Sequence, residues 1–159
     1  DPKEIGEHEF VADTLVRRLS PLGDVARAPR QLLDLGAAVH FHTRIDVALD
    51  AEPPVGELIA RLHPTPAVGA VPRSAEAMAA LHAHRAALGC PAAFGAPFGV
   101  MLPGGEFHGI VLIRGVFWRD GGVGLTLPAG CGIVAESDPD REWAELALKR
   151  RMVRGWLGL

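Results

Sequence analysis

Glu142, Glu145 and Lys149 fall within one narrow sector of any helix that carries them, because each residue advances roughly 100° around the axis. Leu146, Val153 and Leu157 point into nearly the same sector, so the charges face inward. Ionisable groups on a core-facing stripe are costly unless they pair, hold a metal or bind a substrate. Two readings follow. One is a buried Glu-Lys pair, or a frayed terminal helix with solvated charges. The other is the wall of a site: carboxylates from this helix and from Glu7, near the chain's start, would share a Mg²⁺ whose remaining positions go to water and an anionic substrate. Lys149, one turn beyond Glu145, would then meet a substrate carboxylate.

Further candidates surround this stripe. Gly130, Cys131 and Gly132 lie in the run Ala129 to Val134, where backbone N–H groups are open to an approaching carboxylate. The same run also reads as an ordinary glycine-rich turn. Arg114 ends the apolar stretch Ile110-Val111-Leu112-Ile113 and is expected to emerge from the middle of a strand. A guanidinium there suits bidentate carboxylate binding, or serves as an edge arginine reaching water. His40 and His42 share one strand face, yet no third ligand stands near them, so zinc is a weak reading. A single His40 donating a hydrogen bond in a polar cleft fits better. His82 and His84 read as solvated, and His63 as ordering its loop. Ser137 and Cys131 have no base partner in the sequence, so nucleophilic catalysis is not expected.

The elements that must position these residues can be read along the chain. The 159 residues, 48% hydrophobic and 22% charged, suffice for one folded domain. A net charge of -3, a pI near 6.2 and scattered Lys and Arg argue against a nucleic-acid partner. Cys90 and Cys131 lie far apart with no C-x-x-C pair, which excludes a disulfide framework and fits a reducing cytoplasm. No apolar run reaches membrane-spanning length, and no membrane partner is expected. A helix is predicted over Glu7 to Leu19, ending at Pro21-Leu22-Gly23. Extended segments at Ala26 to Leu35 and Ala38 to Val47 could pair as a hairpin through Gly36. A short helix follows over Gly56 to Leu62, and another over Ala75 to Leu88 with Ser74 as its cap.

From Phe94 onward strands dominate: Phe98 to Leu102, a Pro103-Gly104-Gly105 turn, Phe107 to Phe117, an Asp120-Gly121-Gly122 turn, and Val123 to Leu127. The last helix starts at Asp138 and Pro139, a cap followed by a first-turn proline. Four helices and at least five strands, segregated rather than alternating, predict an α+β fold with an antiparallel sheet and packed helices.

With these residues in view, the chain resembles the C-terminal part of the chorismate-utilising enzymes, which include isochorismate, anthranilate, aminodeoxychorismate and salicylate synthases. The resemblance covers essentially all 159 residues. Its pieces are Lys3 with Glu7-His8, His40 with Thr43, Leu62 to Gly69, Phe94 to Gly99, Ile113-Arg114, Ala129 to Val134, Ser137-Asp138-Pro139, Glu142, Glu145 and Lys149. It implies the C-terminal portion of that family's αββα fold. It further implies Glu7 and Glu145 as direct Mg²⁺ ligands, with Glu142 close by or bridged through water. Arg114 and Lys149 would bind the carboxylates of chorismate, aided by backbone N–H groups at Gly130 to Gly132. His40 would line the ring pocket as the catalytic-side residue, and Phe94 would stand where the family has a substrate-contacting tyrosine.

The sequence Glu9-Phe10-Val11-Ala12-Asp13-Thr14-Leu15 and the His63 to Gly69 loop look like the isochorismate synthase branch, with salicylate synthase next and anthranilate synthase further off. That branch implies an isomerase of menaquinone or siderophore biosynthesis. Departures are Phe94 for the tyrosine, Ala96 for a glycine, Cys131 for an alanine, and the absence from Leu81 to Ala93, which holds Arg85 but no glutamate, of the Glu-and-Arg pattern that usually precedes the Tyr-x-Gly segment. The family's catalytic domain is more than twice this length. Residues 1–159 are therefore expected to be its metal- and carboxylate-binding half, inactive alone because the general base and acid lie before residue 1. A degenerate, non-catalytic module of the same fold is the alternative. Such a half is also expected to self-associate through surface that the other half covers.

Overall fold

Helix α1, Pro2–Leu19, begins earlier than the predicted Glu7, because Pro2 stands in a first turn that needs no N–H from it. The computed structural model describes residues 2–34, 36, 39–118, 121 and 124–159. These form two units, Asp1–Gly69 and Ala70–Leu159. In the first, α1 buries Ala12, Thr14 and Leu19. A 3₁₀ turn, Ser20–Leu22, leads to strands β1 (Gly23–Arg27), β2 (Gln31–Asp34), β3 (Val39–His42) and β4 (Ile45–Leu49). Gly23 is obligatory at the entry to β1: its φ is 150°, and a Cβ there would lie 2.0 Å from the Ala48 carbonyl oxygen.

β1 pairs antiparallel with β4, Val25 opposite Val47, and β2 pairs antiparallel with β3, Leu33 opposite His40. The two pairs are successive stretches of one ribbon. Between Arg27↔Ile45 and Gln31↔His42 the outgoing strand has Ala28, Pro29 and Arg30, while the returning strand has only Thr43 and Arg44. That extra residue is a bulge, and Pro29 marks it because proline cannot donate to the ladder. The predicted hairpin is thus present around Gly36, although Leu35 and Ala38 lie outside the described residues. Arg27 and Arg30 tie the ribbon to α1 through Glu9, and Arg27 also reaches Asp13 at 2.6 Å.

Helix α2, Val55–Leu62, packs on α1. Its last carbonyls need partners from elsewhere. The Arg18 guanidinium supplies them, donating to the carbonyls of Leu62 at 3.0 Å and Pro64 at 2.8 Å, with Arg61 at 3.4 Å. A charged donor also suits the negative end of a helix. Arg18→Ala is expected to destabilise the fold by about 2 kcal/mol, the usual scale for hydrogen bonds to a charged group. Urea titration followed by circular dichroism reads this as a lower midpoint, and an unchanged midpoint would show that solvent replaces the guanidinium without loss.

In the second unit Ser74 caps helix α3, Ala75–Ala87, its Oγ accepting from the Ala77 N–H at 3.1 Å. Strands β5 (Pro97–Met101) and β6 (Phe107–Val111) form an antiparallel hairpin. The predicted strand from Phe107 to Phe117 stops at Val111, and Arg114 lies beyond it rather than mid-strand. Its φ is 54°, a left-handed conformation that no β-ladder accommodates. Phe117 and Thr126 form an isolated bridge where the third strand of the meander is predicted; Asp120, Gly122 and Val123 of that prediction lie outside the described residues.

Helix α4, Pro139–Trp156, starts where the sequence places it. Asp138 Oδ1 accepts from the N–H groups of Asp140 and Arg141, both at 3.0 Å. Glu142 and Val153 are buried, Glu145, Leu146 and Lys149 half-buried, and Leu157 is exposed beyond the helix end. Among the described residues the architecture is α+β, with three small two-stranded antiparallel sheets and helices. Among the described residues, no helix is long and apolar enough to cross a membrane.

Candidate functional site

The second unit holds most of the predicted site residues, with Glu142, Glu145 and Lys149 on α4. Because Asp138 fixes the helix start, Glu142, Glu145 and Lys149 follow on successive turns of one face. The chain entering α4 is held by a reciprocal turn in which the Val134 N–H donates to Ser137 Oγ at 3.0 Å and the Ser137 N–H to the Val134 carbonyl at 3.1 Å. Upstream of that turn lies the Gly130-Cys131-Gly132 run. Lys149 clamps it from the helix, Nζ donating to the Gly130 carbonyl at 2.7 Å while also pairing with Glu145.

Arg114 and Phe94 come to the same place through the end of β6. The Gly95 N–H donates to the Leu112 carbonyl at 2.8 Å, and the Leu112 N–H to the Ala96 carbonyl at 2.9 Å. This pairing sets Phe94 beside the segment that leads to Arg114. The Phe94 ring meets Phe117 edge-on, with centroids 6.4 Å apart. It also lies against Gly130, where an added Cβ would sit 3.7 Å from the ring. Arg85 of α3 donates to the Phe94 carbonyl and carries its guanidinium 5.9 Å above the ring.

Charge follows from this geometry. Burial pulls the Arg114 pKa below its ordinary value, while Glu145 nearby works in the opposite direction. Burial likewise pushes the Cys131 thiol up, and the charges of Glu142 and Glu145 push it the same way, against Lys149. A raised thiol pKa keeps Cys131 protonated at neutral pH.

Glu7 and His40 belong to the first unit. Glu7 lies on α1 with Oε1 3.4 Å from Lys3 Nζ. His40 is half-buried on β3. The neighbour of Glu7, His8, links α1 to the strand end: its Nε2 is 2.8 Å from Thr43 Oγ1, and its ring centroid is 5.6 Å from that of Phe41. Within either unit, among the described residues, no three His, Cys, Asp or Glu side chains are gathered to hold a metal ion. The donors of the second unit nonetheless fit Mg²⁺, which takes one or two carboxylates and completes its shell with water and substrate oxygens. Glu142 and Glu145 are such a pair, hard oxygens one turn apart with cations close by.

Sequence reasoning missed one contributor. Arg85 gives no signal in the helical pattern around His82 and His84, both of which are exposed as expected.

Comparison with known proteins gives a consistent set of likenesses. A family model described as "Chorismate binding enzyme" matches residues 1–158. The chain is 33% identical over 155 residues to the salicylate biosynthesis isochorismate synthase of Pseudomonas aeruginosa, covering 96% of this chain and 31% of that protein. It is 35% identical over 158 residues to a Mycobacterium tuberculosis protein provisionally named an isochorismate synthase, covering 96% of this chain and 41% of that protein. It is 29% identical over 150 residues to the chloroplastic isochorismate synthase 2 of Arabidopsis thaliana, covering 93% of this chain and 26% of that protein. The chain thus spans between about a quarter and two fifths of the length of these curated relatives. No solved structure gives a significant match.

Proposed function

Because the chain belongs to the family of chorismate binding enzymes, we propose that it is isochorismate synthase-like and supplies the metal- and carboxylate-binding part of a Mg²⁺-dependent chorismate-to-isochorismate isomerase. The observation that carries this reading is the cluster around α4: Lys149 clamped to the Gly130 carbonyl and paired with Glu145, whose charge also acts on Arg114. Two cations and two carboxylates on one unit suit a substrate that carries carboxylates of its own.

Arg114 offers a planar fork that matches a carboxylate bidentately. Lys149 has three N–H donors, of which Gly130 and Glu145 account for two, and the third can meet substrate. Phe94 gives the ring an apolar wall. Backbone N–H groups at Gly130, Cys131 and Gly132 would receive a carboxylate edge. Glu142 and Glu145 would hold the Mg²⁺, which when bound neutralises a substrate carboxylate and fixes its orientation. Glu7 as a further ligand and His40 at the ring enter by resemblance alone.

In the isomerisation, water adds at one ring carbon as hydroxyl leaves another, which requires a base and an acid on opposite sides. None of the groups gathered at α4 suits either task, so both are proposed to come from outside these 159 residues. The apolar side chains left exposed on β5 and β6, among them Phe98, Val100 and Ile110, support a surface that other protein covers.

The test is to titrate the chain with chorismate in the presence and absence of Mg²⁺ by calorimetry, and to assay isochorismate by product analysis. Expected are Mg²⁺-dependent binding and no turnover by the chain alone. A longer polypeptide carrying it and encoding the acid and base should then form isochorismate. Absence of Mg²⁺-dependent chorismate binding would support the degenerate module instead, and salicylate or anthranilate as product would move the chain to a neighbouring branch.

A further inference from the structure

Phe94 has no hydroxyl with which to anchor itself, so its placement rests on what holds its backbone and what packs on its ring. Arg85 does both. Its guanidinium donates to the Phe94 carbonyl and stands 5.9 Å from the ring centroid, within the range of a cation–π contact. The backbone bonds of this turn run from the Phe94 N–H to Pro91, from Gly95 to Leu112 and from Ala96 to Ala93, and among the described residues they leave the Phe94 carbonyl to Arg85. The next residue, Gly95, is buried, and a carbonyl in such a place is costly to leave without a donor. Arg85 is itself fixed from behind: its carbonyl accepts from the Cys90 N–H at 3.0 Å, and it is half-buried between an exposed His84 and an exposed Ala86.

We propose that Arg85 is a positioning residue for the ring wall of the site: from α3 it holds Phe94 by carbonyl and ring together, and so fixes the rotamer that lays the ring against Gly130 and Phe117. This rests on the reading of Phe94 as the apolar wall for chorismate. Phe117, edge-on at 6.4 Å, and Gly130 meet the same ring without a charge or a donor to direct it. The guanidinium supplies that direction. A side chain that must be ordered on binding weakens affinity by up to about tenfold, and one already held in place spares that loss.

The test reads chorismate affinity at saturating Mg²⁺ by calorimetric titration of the chain and its variants, with thermal melts as a check on folding. Arg85→Met, which has neither donor nor charge, should weaken chorismate binding about tenfold and leave Mg²⁺ affinity unchanged. Arg85→Lys, which keeps a cation and a donor, should stay within about threefold of the parent. In a Phe94→Leu background Arg85→Met should cost less than about threefold, because the ring to be positioned is gone. Arg85→Gln, which ends short of the guanidinium position, replaces the methionine variant if that one does not fold, with the same expectations. Arg85→Met binding chorismate as well as the parent, whatever its melting temperature, would overturn the proposal and leave Phe94 as the wall. A loss that persists undiminished in the Phe94→Leu background would overturn it too, since Arg85 would then act other than through the ring; a parent chain that binds no chorismate would overturn both.

Discussion

Glu145→Gln is expected to lower chorismate turnover at least about a thousandfold, equivalent to about 4 kcal/mol of transition-state stabilisation. The measurement is kcat in the longer polypeptide that carries this chain, at saturating Mg²⁺ and chorismate. Glutamine keeps the shape of the side chain and removes its charge. In the structure that charge pairs with Lys149 and acts on Arg114, so its loss leaves two cations competing for one substrate. It also removes a hard oxygen ligand, and the amide that replaces it holds Mg²⁺ far less well. The alternative raised by the sequence, a Glu-Lys pair that only stabilises the helix, gives a different outcome. An exposed or half-exposed helical pair is worth less than about 1 kcal/mol, so stability would drop slightly while kcat stayed within about threefold. That result would return Glu145 to a structural role.

The two outcomes are worth separating because this part of the site was the most legible in the sequence. Asp138, Pro139 and the spacing of Glu142, Glu145 and Lys149 specify α4 by local chemistry alone: a cap, a first-turn proline and a 3.6-residue period. Ser74 at α3 is legible for the same reason. The ribbon of β1 to β4 was half legible. Its hairpin followed from alternation around Gly36, but the bulge at Pro29 depends on pairing register, which residue alternation does not fix.

The conformation of Arg114, although the residue was a candidate from the start, was not legible. Ile110 to Arg114 continues an apolar run, and with Gly115 next in line a left-handed residue would be expected on the glycine instead. The clamp of Lys149 on Gly130 spans nineteen positions and exists only once α4 has packed against the loop. Non-local contacts of this kind bring a row of charges on one helix to a loop that the sequence leaves separate.

Arg114 itself should prove to be held for binding at the expense of backbone comfort. Its φ of 54° is a left-handed conformation that costs a non-glycine residue about 1 kcal/mol or more. Its guanidinium is partly desolvated, with Glu145 as the carboxylate that offsets this. Both features are unfavourable in the folded chain by itself, and a bidentate substrate carboxylate would offset them. Arg114→Lys keeps the charge but loses the planar fork. It is expected to raise KM for chorismate about a hundredfold, about 2.7 kcal/mol, with little change in kcat. Arg114→Gly should raise KM at least as far. Its denaturation midpoint should nevertheless be no lower than that of the parent, because relief of the strained φ offsets the roughly 1 kcal/mol of added chain entropy in the unfolded state. A side chain kept for packing would show the reverse pattern: the glycine variant would lose stability, and the lysine variant would leave KM within about threefold. Strain at Arg114 that disappears together with chorismate affinity would mark the left-handed turn as part of the binding apparatus, since nothing in the packing of β6 requires it.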